Sequence, residues 1–470
     1  MIPLTACRGK RFGVFGLARS GLATIAALKA GGATAFAWDD DAKKREIAAS
    51  LGAEIAPFAD WPWAELAAVI LSPGVPLTHP EPHAAVKAAK KAEVAVIGDM
   101  ELFAREMLSR PDRPRIVAIT GTNGKSTTTA LTAHLLKTAG LAVQMGGNIG
   151  RPVLDLEPLG PSGVYVLELS SYQIDLAPGL KPNVAVLLNI TPDHIDRHGT
   201  MAGYVAVKRR IFKPLGREGT AVIGVDDPYS AEICTAVSSN GVGRTIPISI
   251  GKAIDRGMSV IDGILYDRSQ IQTAEILDLR RARALPGRHN WQNAAAAFAA
   301  ARVLSNDVQA LIRGLLSFPG LPHRMEDVGR IGKVRCVNDS KATNADAAAK
   351  ALGCFEDIYW IAGGVPKEGG IESLEPFFPH ITQAYLIGQA APLFAKTLDG
   401  KVPCTAAADL SRALDSALVD ALASEAPNPI ILLSPACASF DQFRDYEDRG
   451  DQFRALVAGR RDAVHPGHAA

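Results

Sequence analysis

Thr120-Gly-Thr-Asn-Gly-Lys-Ser-Thr127 sets two glycines, a lysine and adjacent hydroxyls between an apolar run and a helix-like stretch. Small residues let backbone N–H groups turn onto an anion, and the following helix points its positive end at it. Gly121, Thr122, Asn123, Gly124, Lys125, Ser126 and Thr127 are therefore candidates for cradling phosphates. Lys125 brings a full charge to the terminal ones, and the hydroxyl of Ser126 or Thr127 can reach a Mg²⁺. Ile119 stands where the strict phosphate loop has glycine, so this is a shortened variant. Two further segments offer metal ligands. Glu168 ends the apolar run Val164–Leu167, and His194 follows the run Val184–Asn189, within Thr191-Pro-Asp-His-Ile-Asp-Arg-His198. If both runs are parallel strands beside the loop strand, their carboxyl ends open on one crevice. A carboxylate suits Mg²⁺; imidazole is a less usual ligand for it. Asp193, Asp196 and His198 read equally as a turn with solvated charges.

The elements that would position these residues come in three blocks. The chain has 470 residues, which suggests about three domains at roughly 150 residues each. The first block runs strand Arg11–Phe15, glycine turn, helix Leu22–Ala30, strand Ala33–Trp38 ending at Asp39, and later strands Ala67–Leu71 and Val94–Ile97. That order is Rossmann-like, although Gly13, Gly16 and Gly21 miss the dinucleotide spacing. Ser109–Pro114 is a proline-broken connector, and Phe318-Pro-Gly-Leu-Pro322 a second one. Between them, strand Ile116–Thr120, helix Ser126–Ala139 and the two strands above build the centre. The segment from 220 to 284 adds β structure at its edge, and the alanine-rich stretch Asn290–Leu304 is helical. The last block is again strand and helix in alternation. The expectation is an α/β protein with a Rossmann-like domain (1–108), a central P-loop ATPase-type domain (109–318) and a C-terminal Rossmann-like domain (319–470).

Composition narrows the class. A net charge of +1 gives no reason to expect nucleic acid or an anionic membrane as partner. Six scattered cysteines without paired zinc-type spacing fit a reducing cytoplasm. The start lacks a signal-peptide pattern, and no apolar stretch reaches the about 18 residues that a membrane span needs.

Gly121–Thr127, Glu168–Gln173, Asp193-His-Ile-Asp-Arg197 and Gly287-Arg-His-Asn290 together resemble the Mur ligases of peptidoglycan synthesis. Gly98-Asp-Met-Glu-Leu-Phe103, Asn338-Asp-Ser-Lys-Ala-Thr-Asn344 and the stretch from Leu432 to Phe443 resemble the branch of that family that adds D-glutamate. The similarity runs from Gly16 to about Arg454. It implies a monomeric cytoplasmic enzyme using ATP and Mg²⁺. It would join D-glutamate to UDP-N-acetylmuramoyl-L-alanine through an acyl phosphate.

Roles follow from the same resemblance. Ser126 and Glu168 would hold one magnesium, with Lys125 on the phosphates; His194 and a carbamylated Lys208 would hold a second. The residues alone read Lys208, in Tyr204–Arg210, as a helix-surface cation. Asn290 and Asn293 match adenine-side contacts, Arg324 a phosphate contact and Asp339 a ribose ligand. Ser20, Asp39, Ser72, Pro73, Gly74 and Asn148 match the UDP-substrate side. Lys341, Thr343, Lys367, Ser439, Phe440 and Tyr446 match the D-glutamate pocket, where a dianion wants lysines and hydroxyls; Phe440 alone reads equally as packing. Asp39-Asp-Asp41 departs from the family's Asp-(Thr/Ser)-(Arg/Lys), and Glu368-Gly-Gly-Ile371 from its Gly-x-Asp-Phe. Two other readings share the phosphate loop: a folylpolyglutamate synthase-like ligase and a nucleotide-dependent binding switch. The first normally has glycine where Ser126 stands; the second needs no acceptor site.

Overall fold

The computed structural model describes residues 1–239, 241, 243–269, 273–366 and 369–464. Among these residues three sheets follow one another along the chain. The first is all parallel, in the order Glu54–Ile55, Thr34–Trp38, Arg11–Phe15, Leu66–Leu71, Val96–Ile97. Its strands step outward on both sides of the first, so a crevice opens at the carboxyl end of Arg11–Phe15.

The second sheet has Arg115–Thr120 as its third strand from one edge, with Val164–Glu168 and then Val143–Gly147 on that side. Val184–Leu187, Thr220–Gly224 and Arg244–Ile250 follow on the other side, all parallel. Met258–Ile261, Ile264–Asp267 and Ala274–Asp278 extend that edge, the last two pairings antiparallel. The segment 220–284 thus adds edge β structure as expected, together with the helix Pro228–Ser239. Val164–Glu168 and Val184–Leu187 are buried at every position, as continuous apolar runs between helix layers should be.

The third sheet orders as Glu326–Ile331, Val334–Asn338, Ile430–Leu433, Ile358–Gly363, Ile381–Ile387, Cys404–Ala406. Its first pairing is antiparallel and the others are parallel. The helix Tyr446–Val464 closes the described chain.

Residues 1–282 and 288–318 form one compact unit; 283–287 and 319–470 form the other. The first two sheets therefore share a unit and a core. Phe103, on the helix Asp99–Ser109, meets Tyr165 edge to face at 5.2 Å. Backbone bonds tie the sheets as well: Ile2 N–H donates to Leu154 O, and Gly98 N–H to Leu176 O, both at 2.8 Å. Among the described residues no helix is long and apolar enough to cross a membrane.

Candidate active site

The phosphate loop leaves strand Arg115–Thr120 and enters helix Lys125–Thr138. Gly124 caps that helix at φ 83°, a left-handed conformation that glycine takes without penalty. A Cβ there would stand 2.1 Å from Asn293 Oδ1, so the loop closes on the helix Arg288–Leu304 with no room for a side chain. Thr128 Oγ1 also donates to Asn293 Oδ1, at 3.2 Å. Gly124→Ala is therefore expected to lose ATP binding, measurable by calorimetry. The backbone strain costs about 1–2 kcal/mol and the collision adds to it. Wild-type ATP affinity in this variant would refute the loop geometry.

A second brace comes from the segment after Val184–Leu187. Asn189 Oδ1 accepts from Asn123 N–H at 2.9 Å, while its Nδ2 donates to Gln292 Oε1 at 2.9 Å. Thr122 Oγ1 donates to Thr191 O at 3.1 Å and lies 3.1 Å from Tyr204 Oη. Asn189 and Gln292 are supports that the motif alone does not reveal. Their signal is only a polar residue just past a buried strand and another on a buried helix face. Lys125 Nζ lies along the loop, donating to Gly121 O at 3.1 Å and Thr122 O at 2.8 Å.

Glu168 ends its strand beside this loop and is 1% exposed. Asn148 Nδ2 donates to its Oε1 at 2.7 Å, whereas Oε2 is buried with no hydrogen-bond partner. An unmatched buried carboxylate oxygen costs about 1–3 kcal/mol or more. A cation removes that cost, so the oxygen fits a metal ligand. Among the described residues no three His, Cys, Asp or Glu side chains cluster as a metal site. Mg²⁺ does not need such a cluster: it keeps waters and takes one or two carboxylates plus substrate phosphates. Ser126 begins the helix next to Lys125 and supplies a hydroxyl on the same side of the strand ends.

Lys208 overturns the surface-cation reading. It lies on helix Met201–Arg209, 1% exposed, and its Nζ donates to Gly121 O at 2.9 Å and Thr120 Oγ1 at 3.3 Å. Tyr204, one turn earlier, puts its ring 4.8 Å from that nitrogen. Burial, followed by the charge of Lys125, pulls the Lys208 amine down to about 7.

His194 sits at φ 52° ahead of the short helix Ile195–His198. Its Nδ1 is 2.9 Å from Tyr172 Oη and its Nε2 is 3.3 Å from Asp193 Oδ2. His198 is buried, with Nε2 2.8 Å from Ser171 Oγ, so it is no solvated turn residue; Asp196 is exposed, but on the short helix rather than in a turn. Tyr172, Tyr204 and His198 thus form an aromatic wall around His194 and Lys208. Arg197 is also buried and donates to Val75 O at 2.7 Å, tying this segment to the first sheet.

On the first sheet, the turn Gly16–Ala18 and Ser20 at the start of the helix Arg19–Gly31, Asp39, and Ser72-Pro-Gly74 lie past three adjacent parallel strands. A Cβ on Gly16 would stand 2.6 Å from Ser72 Cβ, so the two turns touch. Asp39 accepts from Leu17 N–H at 2.7 Å and from Asp41 N–H at 2.9 Å, which braces the Gly16 turn against the segment that follows Thr34–Trp38. Asp41 caps the helix Ala42–Ser50. A basic side chain does stand close by: Arg45 Nη1 donates to the Asp39 and Asp40 carbonyls, and its guanidinium lies 4.5 Å over Trp38.

Asn290 and Asn293 are buried at the start of their helix, with Asn293 Nδ2 donating to Asn290 Oδ1 at 3.1 Å. In the second unit, Arg324 lies one residue from Met325, whose N–H donates to Asp339 Oδ1 at 3.2 Å. Ser434 Oγ donates to Asp339 Oδ2 at 2.9 Å, and burial raises that carboxyl to about 7. Lys341 Nζ lies 5.5 Å over the Tyr446 ring, Thr343 follows in the same turn, and Ser439 is buried nearby in sequence to the 73%-exposed Phe440. Such exposure excludes packing as the role of Phe440. Lys367 and Glu368 lie outside the described residues.

Residues 119–301 match the Mur ligase middle domain. The chain is 54% identical to UDP-N-acetylmuramoylalanine–D-glutamate ligase of Caulobacter sp. (strain K31), covering 98% of both chains. The enzyme of the same name from Phenylobacterium zucineum (strain HLK1) is also 54% identical, over 99% of this chain and 100% of its own. That from Brucella abortus (strain 2308) is 50% identical over 97% of each. Among solved structures, UDP-N-acetylmuramoyl-L-alanyl-D-glutamate–2,6-diaminopimelate ligase shares the fold at TM-score 0.58 and 19% identity, over 99% of this chain and 94% of its own. UDP-N-acetylmuramate-alanine ligase from Thermotoga maritima does so at 0.56 and 18%, over 96% and 99%.

Proposed function

The chain belongs to the UDP-N-acetylmuramoylalanine–D-glutamate ligase family, and from that membership we infer that it adds D-glutamate to UDP-N-acetylmuramoyl-L-alanine at the expense of ATP. The observation that carries this reading is identity above half along nearly the whole of each chain. It sets aside the folylpolyglutamate synthase-like reading and the binding switch.

The chemistry needs an acyl phosphate. The alanyl carboxylate is anionic and lacks a leaving group; phosphorylation by ATP corrects both. D-glutamate's amine then displaces phosphate through a tetrahedral intermediate. Lys125 neutralises charge on the transferring phosphoryl group. Magnesium, held by Ser126 and Glu168 and by His194 with Lys208, would screen the ATP phosphates from the substrate anion. The unpartnered Glu168 Oε2 supports the first of these sites. For the second, Lys208 acts as its carbamate: an ammonium would repel the metal, and the carbamate is an anion that accepts it. A buried amine near neutrality is the form that attacks CO₂. Tyr172 fixes the His194 ring from one side.

Asn290 and Asn293 serve the adenine side, and Arg324 and Asp339 the phosphates and ribose. Ser20, Asp39, Ser72, Pro73, Gly74 and Asn148 serve the UDP substrate. Lys341, Thr343, Lys367, Ser439, Phe440 and Tyr446 serve D-glutamate. The enzyme acts as a cytoplasmic monomer on soluble substrates: six unpaired cysteines fit a reducing compartment, and a net charge of +1 gives no reason to expect nucleic acid or an anionic membrane as partner. A panel of amino acids tests the reading: with ATP and UDP-N-acetylmuramoyl-L-alanine present, D-glutamate is expected to trigger phosphate release. Release with L-glutamate but not the D form would refute it.

A further inference from the structure

We propose that Arg449 is the positioning residue of the amino-acid pocket, its guanidinium clamping the strand-end turns from which Lys341, Thr343, Ser439 and Phe440 project. The proposal rests on the reading of those four as the D-glutamate site.

Arg449 is 0% exposed on the helix Tyr446–Val464. A guanidinium in such a place ordinarily finds a carboxylate. This one finds carbonyls instead. Its Nη2 donates to Ser340 O at 2.8 Å and to Cys437 O at 3.2 Å, its Nε to Ser340 Oγ at 2.9 Å, and its Nη1 to Gly363 O at 3.5 Å. Ser340 follows strand Val334–Asn338, Cys437 follows Ile430–Leu433, and Gly363 ends Ile358–Gly363. These three strands are adjacent and parallel, so the carbonyls belong to carboxyl ends that point the same way. One planar fork thus spans three strand ends, which a point charge cannot do. Burial draws the guanidinium down to about 10, which leaves it charged at neutral pH.

The clamped backbone is the backbone of the pocket. Lys341 directly follows Ser340 and Thr343 lies two residues further on; Ser439 and Phe440 lie two and three residues after Cys437. Ser340 Oγ donates to Tyr446 O at 2.8 Å, which returns the network to the residue under Lys341. The turn after Gly363 is drawn in too: Val365 N–H donates to Ala438 O at 2.9 Å, and a Cβ on Gly364 would stand 2.2 Å from that oxygen. These hydrogen bonds of Arg449 go to Ser340, Cys437 and Gly363, none of which is assigned to the substrate. It sets where those side chains begin.

Arg449→Lys keeps the charge and loses the fork; Arg449→Met keeps the length and loses the charge. In the full-length enzyme both are expected to raise KM for D-glutamate roughly 10–100-fold, the cost of a small misplacement at a binding site. KM for the UDP substrate stays unchanged. Acyl phosphate trapped with hydroxylamine, in the absence of D-glutamate, forms at the wild-type rate. Unchanged KM for D-glutamate in either folded variant overturns the proposal. So does a parallel loss of acyl-phosphate trapping, which marks a merely structural arginine. If Arg449→Met does not fold, as judged by its melting curve, Arg449→Lys and Ser340→Ala decide, the latter removing the Oγ bonds to Arg449 Nε and Tyr446 O and leaving the carbonyl contacts. If the wild type turns over with another amino acid, the acceptor reading fails instead, and the KM for that amino acid judges the clamp.

Discussion

Lys208→Ala will be nearly inactive in ligation, and a short-chain carboxylic acid will partly restore it by filling the position of the missing carbamate. The expectation comes from where the amine sits. An ordinary lysine has a pKa near 10.4, so roughly one molecule in a few thousand is neutral at pH 7. At Lys208, burial and the neighbouring Lys125 bring the value to about 7, and about half the molecules then carry a nucleophilic amine. Once formed, the carbamate is retained by the metal it binds, so modification and metal loading are linked. Incubation with ¹³C-bicarbonate should give a carbamate carbon resonance in the wild type that is absent from Lys208→Ala. Full activity without that resonance would return Lys208 to a structural donor for Gly121 O and Thr120 Oγ1.

Lys125→Ala will lose ligation by on the order of 10²-fold or more, because a charge aimed at transferring phosphoryl oxygens is removed. Its amine now lies against the carbonyls of Gly121 and Thr122, within reach of whatever the loop cradles. UDP-substrate binding will survive, since Ser20, Asp39 and Ser72 follow strands of the first sheet, whereas Lys125 stands on the loop of the second. Titration calorimetry with the UDP substrate and a phosphate-release assay separate the two effects. Near-normal turnover would dismiss the phosphate-loop assignment.

Much of the scaffold was legible because it obeys short-range rules. The run Ile116–Ile119 ahead of the phosphate loop is apolar throughout and became part of an inner strand, and the strand-and-helix alternation of the last block includes the helix Ala345–Leu352, capped by Asn344. Lys208 was not legible from its own surroundings. Lys208-Arg-Arg210 looks like a solvated basic run, and Arg209 and Arg210 are indeed exposed. The signal was periodicity: Lys208 lies four residues after Tyr204, on the face that the helix buries. His198 and Arg197 were hidden in the same way, as charged residues in a polar turn that packs inward. The braces Asn189 and Gln292 join residues 103 apart in the chain, a contact that no local pattern encodes. Arg449 is harder still, since its partners are backbone carbonyls on three separate turns and a carbonyl has no residue type.

The fate of one oxygen tests the acyl phosphate most directly. UDP-N-acetylmuramoyl-L-alanine carrying ¹⁸O in its alanyl carboxylate is turned over with ATP and D-glutamate, and the released phosphate is examined by mass spectrometry. The account predicts one labelled oxygen in each phosphate, because the carboxylate oxygen that takes the phosphoryl group leaves with it. Product formed alongside unlabelled phosphate would contradict it.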